Sequence, residues 1–463
     1  MIKISPLHQP ELDPDFQPAS LWTRAYERLL DDEGRREVVI ALSRPDGQVT
    51  LHREEVLPSG PEWDALNLRH LERIVKFLLW GRGGNRVAIA GAPELAAGLA
   101  SIYSATGARA FDHDWVGKIF DAPLEIAAVE TDAIPEERES GAGRHLGRHL
   151  DGCRIGFDLG GSDRKCAAVI DGEVVFSEEV PWDPYFQKDP AYHREGIIDS
   201  LKRAAAKLPR VDAIGGSAAG VYVNNRVRVA SLFRGGHEEI YEEKVRDLFL
   251  EIADEWQVPL EVINDGDVTA LAGSMSINDG ALLGVAMGTS TAAGYVDSDG
   301  EITPWLSELA FVPVDYREGA PVDEWSGDAG CGVQYFSQQA VARLVPASGL
   351  EIDRSLPAPE QLVKVQEKMA EGDERAAAIY RSIGVYLGYT IPHYARFYTI
   401  RHLLLLGRVM SGAGGDLIVA TARRVLEDEF PDQAAAIEMM TPDETLKRHG
   451  QAIAAASLPQ LKP

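Results

Sequence analysis

The chain has 463 residues, of which 45% are hydrophobic and 25% are charged, a composition typical of a globular protein with two or three domains. Its 46 basic and 72 acidic residues leave a net charge of −26, which argues against a nucleic-acid binder and against a protein held on anionic lipid. Three cysteines are too few for a disulfide framework or a four-cysteine zinc site. The sequence shows neither an apolar run of about 18 residues nor a secretory signal, so we predict a soluble, cytoplasmic protein without a membrane partner.

The first 150 residues predict a mixed α/β unit. Apolar runs bounded by turn residues predict strands at 37–42, 49–56, 86–90 and 123–129, and helical periodicity appears at 63–80 and 93–105. The segment 135–149 has little apolar content and is interpreted as a linker or surface excursion. We therefore place a domain boundary near residue 150.

From residue 153 onward the sequence alternates between strand and helix patterns. Strands are predicted within 154–180 and at 211–214, 260–263, 281–286 and 402–406, with helices at 196–207, 241–256, 415–430 and over most of 359–401. Alternation of this kind indicates an α/β fold.

The first glycine-rich turn follows a predicted strand and runs from Asp158 to Lys165. Gly160 and Gly161 allow a tight turn whose backbone N–H groups can face an anion, while Ser162 offers a hydroxyl and Lys165 a positive charge. Asp158, at the strand end, could hold a hydrated magnesium ion. The alternative interpretation is a hairpin turn between two strands.

The second glycine-rich turn, MGTSTAAG, begins after the strand predicted at 281–286. Its small hydroxyl residues Thr289 and Ser290 stand beside Gly288, which suits a phosphate cradle. Another hairpin turn is the alternative.

The third turn, LGRVMSGAGG at 406–415, contains Gly407 and Arg408 and lies between a buried strand and a helix. A ligand there would meet the free N–H groups and the positive dipole end of the helix. The alternative is an ordinary βα loop.

Between the first two turns, Asn264 and Asp265 stand where a strand ends and a helix begins. A carboxylate in that place can act as a general base on a substrate hydroxyl. Either residue can instead be a helix N-cap.

Four strand-end turns in this order resemble the ROK family (repressor, open reading frame, kinase) of sugar kinases in the actin-like ATPase superfamily. The resemblance covers residues 151–463. The family's first phosphate motif is matched by the turn at Asp158, its Asn-Asp pair by Asn264 and Asp265, its second phosphate loop by 288–294 and its adenosine loop by 407–415. The small-residue helix that closes the family's sequences is matched by HGQAIAAA, which begins at His449.

The substrate side matches the family only in part. Glu308 keeps the place of a sugar-contacting Glu, but the zinc-binding His three positions on is replaced by Phe311. Of the family's cysteine-rich zinc segment only Cys331 remains, and a second sugar-contacting Glu has become Val333. One thiolate cannot hold a tetrahedral zinc, so we predict none. The upstream sugar loop also differs, with Ser231 opening the stretch SLFRG.

The resemblance implies an α/β fold with two ribonuclease-H-like lobes of the actin/hexokinase type and an interlobe cleft, preceded by an N-terminal α/β extension. The predicted domains are 1–150 for the extension, 151–263 with the C-terminal helix 445–463 for the first kinase lobe, and 264–444 for the second.

The resemblance also implies ATP-dependent phosphorylation of a sugar-like hydroxyl, with Asp265 as general base and Mg²⁺ held near Asp158 through water. The expected partners are a small sugar-like substrate, no nucleic acid and a second copy of the chain in a homodimer. Substrate-binding positions are Asn264, Glu308, Ser231 and Gly220. ATP and phosphate positions are Asp158, Gly160, Gly161, Ser162, Lys165, Gly288, Thr289, Ser290, Gly407 and Arg408.

Two alternatives remain. A sugar or nucleotide sensor without phosphotransfer is indicated by the missing His and Glu and by Asp163, a carboxylate beside a phosphate loop, whereas the retained Asp265 argues against it. A transcriptional repressor with an N-terminal DNA-binding domain is disfavoured, because residues 1–150 hold 17 basic and 24 acidic residues and no helix-turn-helix with a basic recognition helix.

Overall fold

A computed structural model describes residues 2–138, 146–235, 238–442 and 450–461. The chain divides into two compact units. Unit 1 consists of Met1–Gly141, Val285–Ala293 and Trp305–Met440, and unit 2 of Ala142–Gly284, Gly294–Pro304 and Thr441–Pro463. The first 141 residues thus share a unit with most of the predicted second kinase lobe. This grouping differs from the predicted boundaries after residues 150 and 263, and the division into three domains stays a prediction.

Residues 2–138, called the N-terminal segment below, form a four-stranded sheet with helices. Its elements are α1 (Ala19–Glu33), β1 (Arg36–Ser43), β2 (Val49–Val56), α2 (Asp64–Phe77), a π-helix (Leu78–Arg82), β3 (Arg86–Ala90), α3 (Pro93–Ile102), α4 (Ala110–Phe120) and β4 (Glu125–Ala128). The strand order is β2-β1-β3-β4, with β3 and β4 parallel and the other pairs antiparallel. The predicted strands and the helices α2 and α3 are confirmed, whereas α1 and α4 were not predicted.

The N-terminal segment packs against the later part of unit 1 through buried aromatic and charged side chains. The rings of Phe77 and Phe397 stack with centroids 3.7 Å apart. The Asp13 carboxylate, 8% exposed, accepts hydrogen bonds from Arg343 at 2.9 Å and from Tyr386 at 2.7 Å. Buried rings and a fully partnered carboxylate make this segment part of a common core.

The remaining elements of unit 1 lie between residues 282 and 440, although residues 282–284 and 294–296, at the ends of two of these strands, belong to unit 2. They are β12 (Leu282–Met287), β13 (Thr291–Val296), α9 (Gln338–Ser348), α10 (Ala358–Ala370), α11 (Glu374–Tyr394), β14 (His402–Leu406), α12 (Ala413–Glu429), α13 (Pro431–Ala436) and β15 (Glu438–Met440). The sheet order is β13-β12-β14-β15. The continuous apolar run HLLLL forms β14 as predicted, and its central residues are buried.

Unit 2 is built on a five-stranded sheet. Its elements are β5 (Cys153–Leu159), β6 (Asp163–Ile170), β7 (Glu173–Pro181), α5 (Ala191–Ala205), β8 (Ala213–Ala218), β9 (Val221–Val223), β10 (Arg226–Val229), α6 (Glu238–Lys244), α7 (Leu248–Trp256), β11 (Leu260–Asn264), α8 (Asp265–Ile277) and α14 (Gln451–Ala456). The order is β11-β8-β5-β6-β7, in which β11, β8 and β5 are mutually parallel and β6 and β7 are antiparallel.

Helix α14 lies directly on the sheet of unit 2. A Cβ atom on Gly156 would come within 2.0 Å of the Ala452 carbonyl oxygen, and one on Gly215 within 1.6 Å of the Ala455 carbonyl oxygen. Only glycine allows the helix backbone to approach this closely. The small-residue closing helix is therefore present over 451–456, while His449 lies outside the described residues.

No helix among the described residues is long and apolar enough to cross a membrane.

Candidate functional site

The carboxyl ends of three neighbouring parallel strands in unit 2 carry the polar side chains of the candidate site. Asp158 near the end of β5 pairs in register with Ser217 of β8, and the next residue of β8 pairs with Asn264 at the end of β11. Asp265 follows as the first residue of α8. Ligands of open α/β sheets bind at this edge, outside the carboxyl ends of the strands.

The side chains of Asn264 and Asp265 both bond the backbone amide of Gly266 at the start of α8. The Asn264 side chain caps α8 by accepting a hydrogen bond from the Gly266 amide at 2.7 Å, and its Nδ2 donates to the Gly220 carbonyl at 2.8 Å. The Asp265 carboxylate accepts from the same Gly266 amide at 3.0 Å. The N-cap alternative is thus realised by Asn264, and this capping fixes where α8 begins and where the Asp265 carboxylate lies.

The surroundings of Asp158 and Asp265 disfavour the ionised form of both carboxyl groups. Burial, followed by the negative charge of Asp158, raises the pKa of Asp265 from its ordinary value of 3.8 to about 6. Burial also raises the pKa of Asp158, although its carboxylate accepts a hydrogen bond from the Ser217 hydroxyl at 2.6 Å. A carboxylate whose pKa is near neutrality is suited to accept a proton from a substrate.

The first glycine-rich turn joins β5 and β6 as a hairpin, in which the Gly160 amide donates to the Asp163 carbonyl at 3.0 Å. The Lys165 Nζ lies 3.9 Å from an Asp158 carboxylate oxygen and 3.4 Å from one of Asp163. Ser162 is exposed and donates to Asp163 at 2.9 Å. The hairpin alternative is therefore realised, and the same turn presents an ammonium and a hydroxyl beside Asp158.

The upstream substrate positions lie together in unit 2. A Cβ on Gly220 would come within 2.5 Å of the Val229 carbonyl oxygen and 2.7 Å of Ala230, the residue before Ser231. Ser231 itself is exposed and begins a 3₁₀ turn. The Gly220 carbonyl accepts a hydrogen bond from Asn264, so Gly220 lies between Asn264 and the residue that precedes Ser231.

The second and third glycine-rich turns meet in unit 1. Gly288 opens the hairpin between β12 and β13, and the side chains of Thr289 and Ser290 are exposed. Gly407 has a φ of +98°, and a Cβ there would come within 2.5 Å of the Met287 carbonyl oxygen. This contact requires glycine and places the third turn against Met287, the first residue of the second turn.

Arg408 is exposed at the start of a 3₁₀ turn that leads into α12. Its carbonyl accepts a hydrogen bond from Gln366 at 2.8 Å. The third turn is thus a βα loop, as its alternative interpretation expected.

Glu308 lies on a segment of unit 1 that the N-terminal segment supports. Its amide donates to the Trp80 carbonyl at 3.0 Å. Phe311, at the position where the resemblance expects a zinc-binding histidine, packs on the Trp80 ring with centroids 4.3 Å apart. Phe311 therefore lies in an aromatic environment.

Cys331 is a buried core thiol that donates to the Phe311 carbonyl at 3.5 Å. Burial raises the pKa of this thiol, which favours its neutral form. Among the described residues no group of three or more His, Cys, Asp or Glu side chains is arranged to hold a metal ion. The absence of zinc stays a prediction.

The sequence did not predict two residues of this site, Ser217 and Tyr222. Ser217 is fully buried and donates to Asp158. The charge of Asp265 contributes to raising the pKa of Tyr222, after the larger effect of burial. Ser217 had a usable signal, a hydroxyl residue near the end of a predicted strand, whereas nothing in the sequence around Tyr222 marks it.

Comparison with known proteins shows which solved structures share this fold. No protein-family model matches the sequence, and neither does any curated protein. Solved structures do match. The ROK hexokinase of Thermus thermophilus has a TM-score of 0.52 and 17% identity, covering 66% of this chain and 97% of its own. The ROK family glucokinase of Streptomyces griseus, solved with glucose and AMPPNP, has a TM-score of 0.51 and 17% identity over 66% of this chain and 99% of its own.

This chain has the ROK fold. A ROK family transcriptional regulator, a homolog of the E. coli MLC protein, matches as well, with a TM-score of 0.50 and 18% identity over 67% of this chain and 79% of its own. The predicted fold class is therefore confirmed. Because kinases and a regulator share the ROK fold, the activity has to be argued from the site.

Proposed function

We propose that this protein transfers the γ-phosphoryl group of ATP to a hydroxyl of a small sugar-like molecule, with Asp265 as general base. One observation carries the proposal: Asp265 stands at the end of β11 with a pKa raised to about 6, next to the turn that holds Asp158 and Lys165. A base, a cation and a glycine-rich turn at one sheet edge are the parts that phosphoryl transfer needs.

In this proposal Asp265 accepts the proton of the attacking hydroxyl. Asn264, fixed by its bonds to Gly220 and Gly266, orients the acceptor, with Glu308, Ser231 and Gly220 as further acceptor contacts. Because positioning and electrostatic stabilisation account for most of the catalysis in phosphoryl transfer, fixed side chains matter more here than covalent chemistry.

The phosphate groups of ATP would meet the amides of Gly160, Gly161, Gly288 and Gly407. Ser162, Thr289, Ser290, Lys165 and Arg408 would add hydroxyl and cationic contacts. The Lys165 ammonium would shift from Asp163 toward the phosphates as negative charge arrives. These donors suit an anion, because backbone amides in tight glycine turns approach phosphate oxygens closely.

The donors near Asp158 also fit magnesium. Carboxylate and hydroxyl oxygens are the ligand type that Mg²⁺ prefers, usually with several waters retained. Asp158 would hold the ion, which when bound would neutralise charge on the phosphates. The raised pKa of Asp158 supports this, since a buried carboxylate beside a second one gains by facing a cation.

A sugar panel tests the proposal. Purified protein is incubated with Mg·ATP and glucose, mannose, galactose, N-acetylglucosamine or N-acetylmannosamine, and sugar phosphate is measured. We expect Asp265→Asn to lower kcat on the best of these by at least about 1,000-fold with little change in ATP binding. Normal turnover by the variant would disprove the role of Asp265, and ATP binding without phosphorylation of any sugar would disprove the kinase.

A sensor without phosphotransfer is the second candidate, and the contact between Lys165 and Asp163 favours it. A carboxylate 3.4 Å from the ammonium competes with phosphate for the same charge. Such a protein would gain thermal stability from one of the panel sugars, by mass action, while forming no sugar phosphate. The homodimer and the cytoplasmic location are also proposals, and light scattering of the purified protein tests the first.

A further inference from the structure

The segment before Glu308 is held by the end of a helix in the N-terminal segment. The π-helix Leu78–Arg82 ends with carbonyl groups that have no further turn to bond. Three amides of the chain at 306–308 bond them instead: Leu306 to Arg82 at 3.3 Å, Ser307 to Gly81 at 3.0 Å and Glu308 to Trp80 at 3.0 Å. The Glu308 backbone is therefore fixed by residues that come more than two hundred positions earlier.

Both partners in this pairing are conformationally unusual. Ser307 is 1% exposed and has a φ of +50°, a left-handed conformation that a residue with a Cβ adopts at a cost. The π-helix is itself a rare form that is found often at functional sites. Such conformations persist only where the surroundings enforce them, so the contact between 80–82 and 306–308 maintains the conformation of both.

A buried ionic cluster fixes the π-helix from the other side. The Lys76 Nζ lies 2.7 Å from Asp112 and 3.3 Å from Asp328, and all three side chains are at most 2% exposed. Asp112 also accepts a hydrogen bond from the indole N–H of Trp80. Asp112 thus connects α4, α2 and the π-helix through one carboxylate.

The same cluster reaches the chain on the far side of Glu308. Asp328 belongs to the loop that follows Phe311, and Phe311 packs on Trp80. Glu308 is therefore bracketed. Its own amide and the two before it are bonded to the π-helix, and the residues after it are held by the Trp80 ring and by the charge of Lys76.

We propose that Asp112 and Trp80 are positioning residues for Glu308, so that the N-terminal segment forms part of the acceptor site. The role of Glu308 rests on the proposed kinase function, whereas the positioning can be measured without any substrate. Trp80 acts through its carbonyl and ring, and Asp112 acts through the indole of Trp80 and the ammonium of Lys76.

Hydrogen–deuterium exchange on the full chain tests the positioning. Asp112→Asn keeps the shape of the side chain and leaves Lys76 paired with Asp328, so the fold should survive. We expect the amides of 306–308 to exchange at least tenfold faster in this variant. Glu429→Gln is the matched control, because Glu429 is also buried, at 7% side-chain exposure, and bonds Arg24 of α1 far along the chain from Glu308. Unchanged exchange in Asp112→Asn, or equal acceleration in Glu429→Gln, overturns the proposal.

Kinetics test the consequence with whichever sugar of the panel the wild type phosphorylates fastest. Asp112→Asn and Trp80→Phe should each raise KM for that sugar at least fivefold, with kcat and KM for ATP within twofold of wild type. Glu429→Gln should leave all three constants within twofold. A parallel loss of kcat and of both KM values would mark a general structural effect and overturn the positioning. If the wild type phosphorylates no sugar, the kinase proposal fails while the exchange result alone decides the positioning.

Discussion

At the scale of single residues, the ionisation of Asp265 controls the proposed reaction. Its pKa of about 6 lies above the ordinary 3.8, so the base becomes protonated as pH falls through 6. We expect kcat/KM to fall about tenfold per pH unit below this value, measured between pH 4.5 and 8. In Asp158→Asn, where a repelling charge is gone, the acid limb of the residual activity should move to lower pH. An acid limb at the same pH in both proteins would contradict this account.

The raised pKa of Asp265 also predicts a stability effect. A folded-state pKa above the unfolded one means that ionisation costs the folded state free energy, and that cost grows as pH rises from 3.8 through 6. Asp265→Asn removes the cost. We expect its Tm to exceed that of the wild type at pH 8 and the difference to shrink below pH 5. A variant that is less stable than the wild type at pH 8 would show that the carboxylate is stabilised in the fold.

The Asp163 carboxylate competes with the phosphate groups of ATP for the ammonium of Lys165. Replacing Asp163 by Asn removes the carboxylate 3.4 Å from the Lys165 ammonium and makes its charge available to phosphate. We expect Asp163→Asn to lower KM for ATP by about threefold to tenfold, the effect of one weak, partly exposed ion pair. Asp199→Asn is the control. Asp199 pairs with Arg164, which neighbours Lys165 on β6, and not with Lys165 itself. Weaker ATP binding in Asp163→Asn would instead assign Asp163 to the site itself.

At the scale of elements, the close contact of α14 with the sheet of unit 2 allows only glycine at one position in each of β5 and β8, Gly156 and Gly215. A methyl group on Gly215 would lie 1.6 Å from a backbone oxygen of α14, which cannot yield without moving the helix. We expect Gly215→Ala to lower the free energy of unfolding by about 3 kcal/mol or more, measured by urea unfolding. Gly196→Ala in α5, whose new methyl would have neighbours no closer than 3.4 Å, should stay within about 1 kcal/mol. Equal effects would contradict the close approach.

Elements with a clear local pattern were predictable from the sequence. The strands β1, β2, β3, β11 and β14 have apolar runs bounded by turn residues, and the structure confirms them within about two residues. Helix α1 had a usable signal, since Trp22, Tyr26 and Leu30 recur at helical spacing, but no side chain caps its start. Helix α4 had none, because its buried Asp112 reads as a solvated position.

At the scale of the whole molecule, the features that the sequence did not predict are those that depend on contacts between residues far apart in the chain. The strand-end turns and Asn264-Asp265 were predictable, because each is a local pattern whose place follows from a parallel sheet. The attachment of the N-terminal segment was not, because Lys76 and Asp328 are each an ordinary charged residue until the fold pairs them. In a sequence, single charged residues of this kind indicate a solvated surface. In the structure, Lys76 and Asp328 form a buried ion pair.

The same buried contacts predict that the N-terminal segment cannot be removed. A chain that begins at residue 142 would expose the rings of Phe311 and Phe397 and would lack Lys76, the buried partner of Asp328. Exposed aromatic surface promotes association. We expect the 142–463 chain to aggregate and to bind a hydrophobic dye, and co-expression with a separate 1–141 chain to restore a soluble complex. A soluble, cooperatively melting 142–463 chain that does not bind 1–141 would show instead that the N-terminal segment is an independent domain.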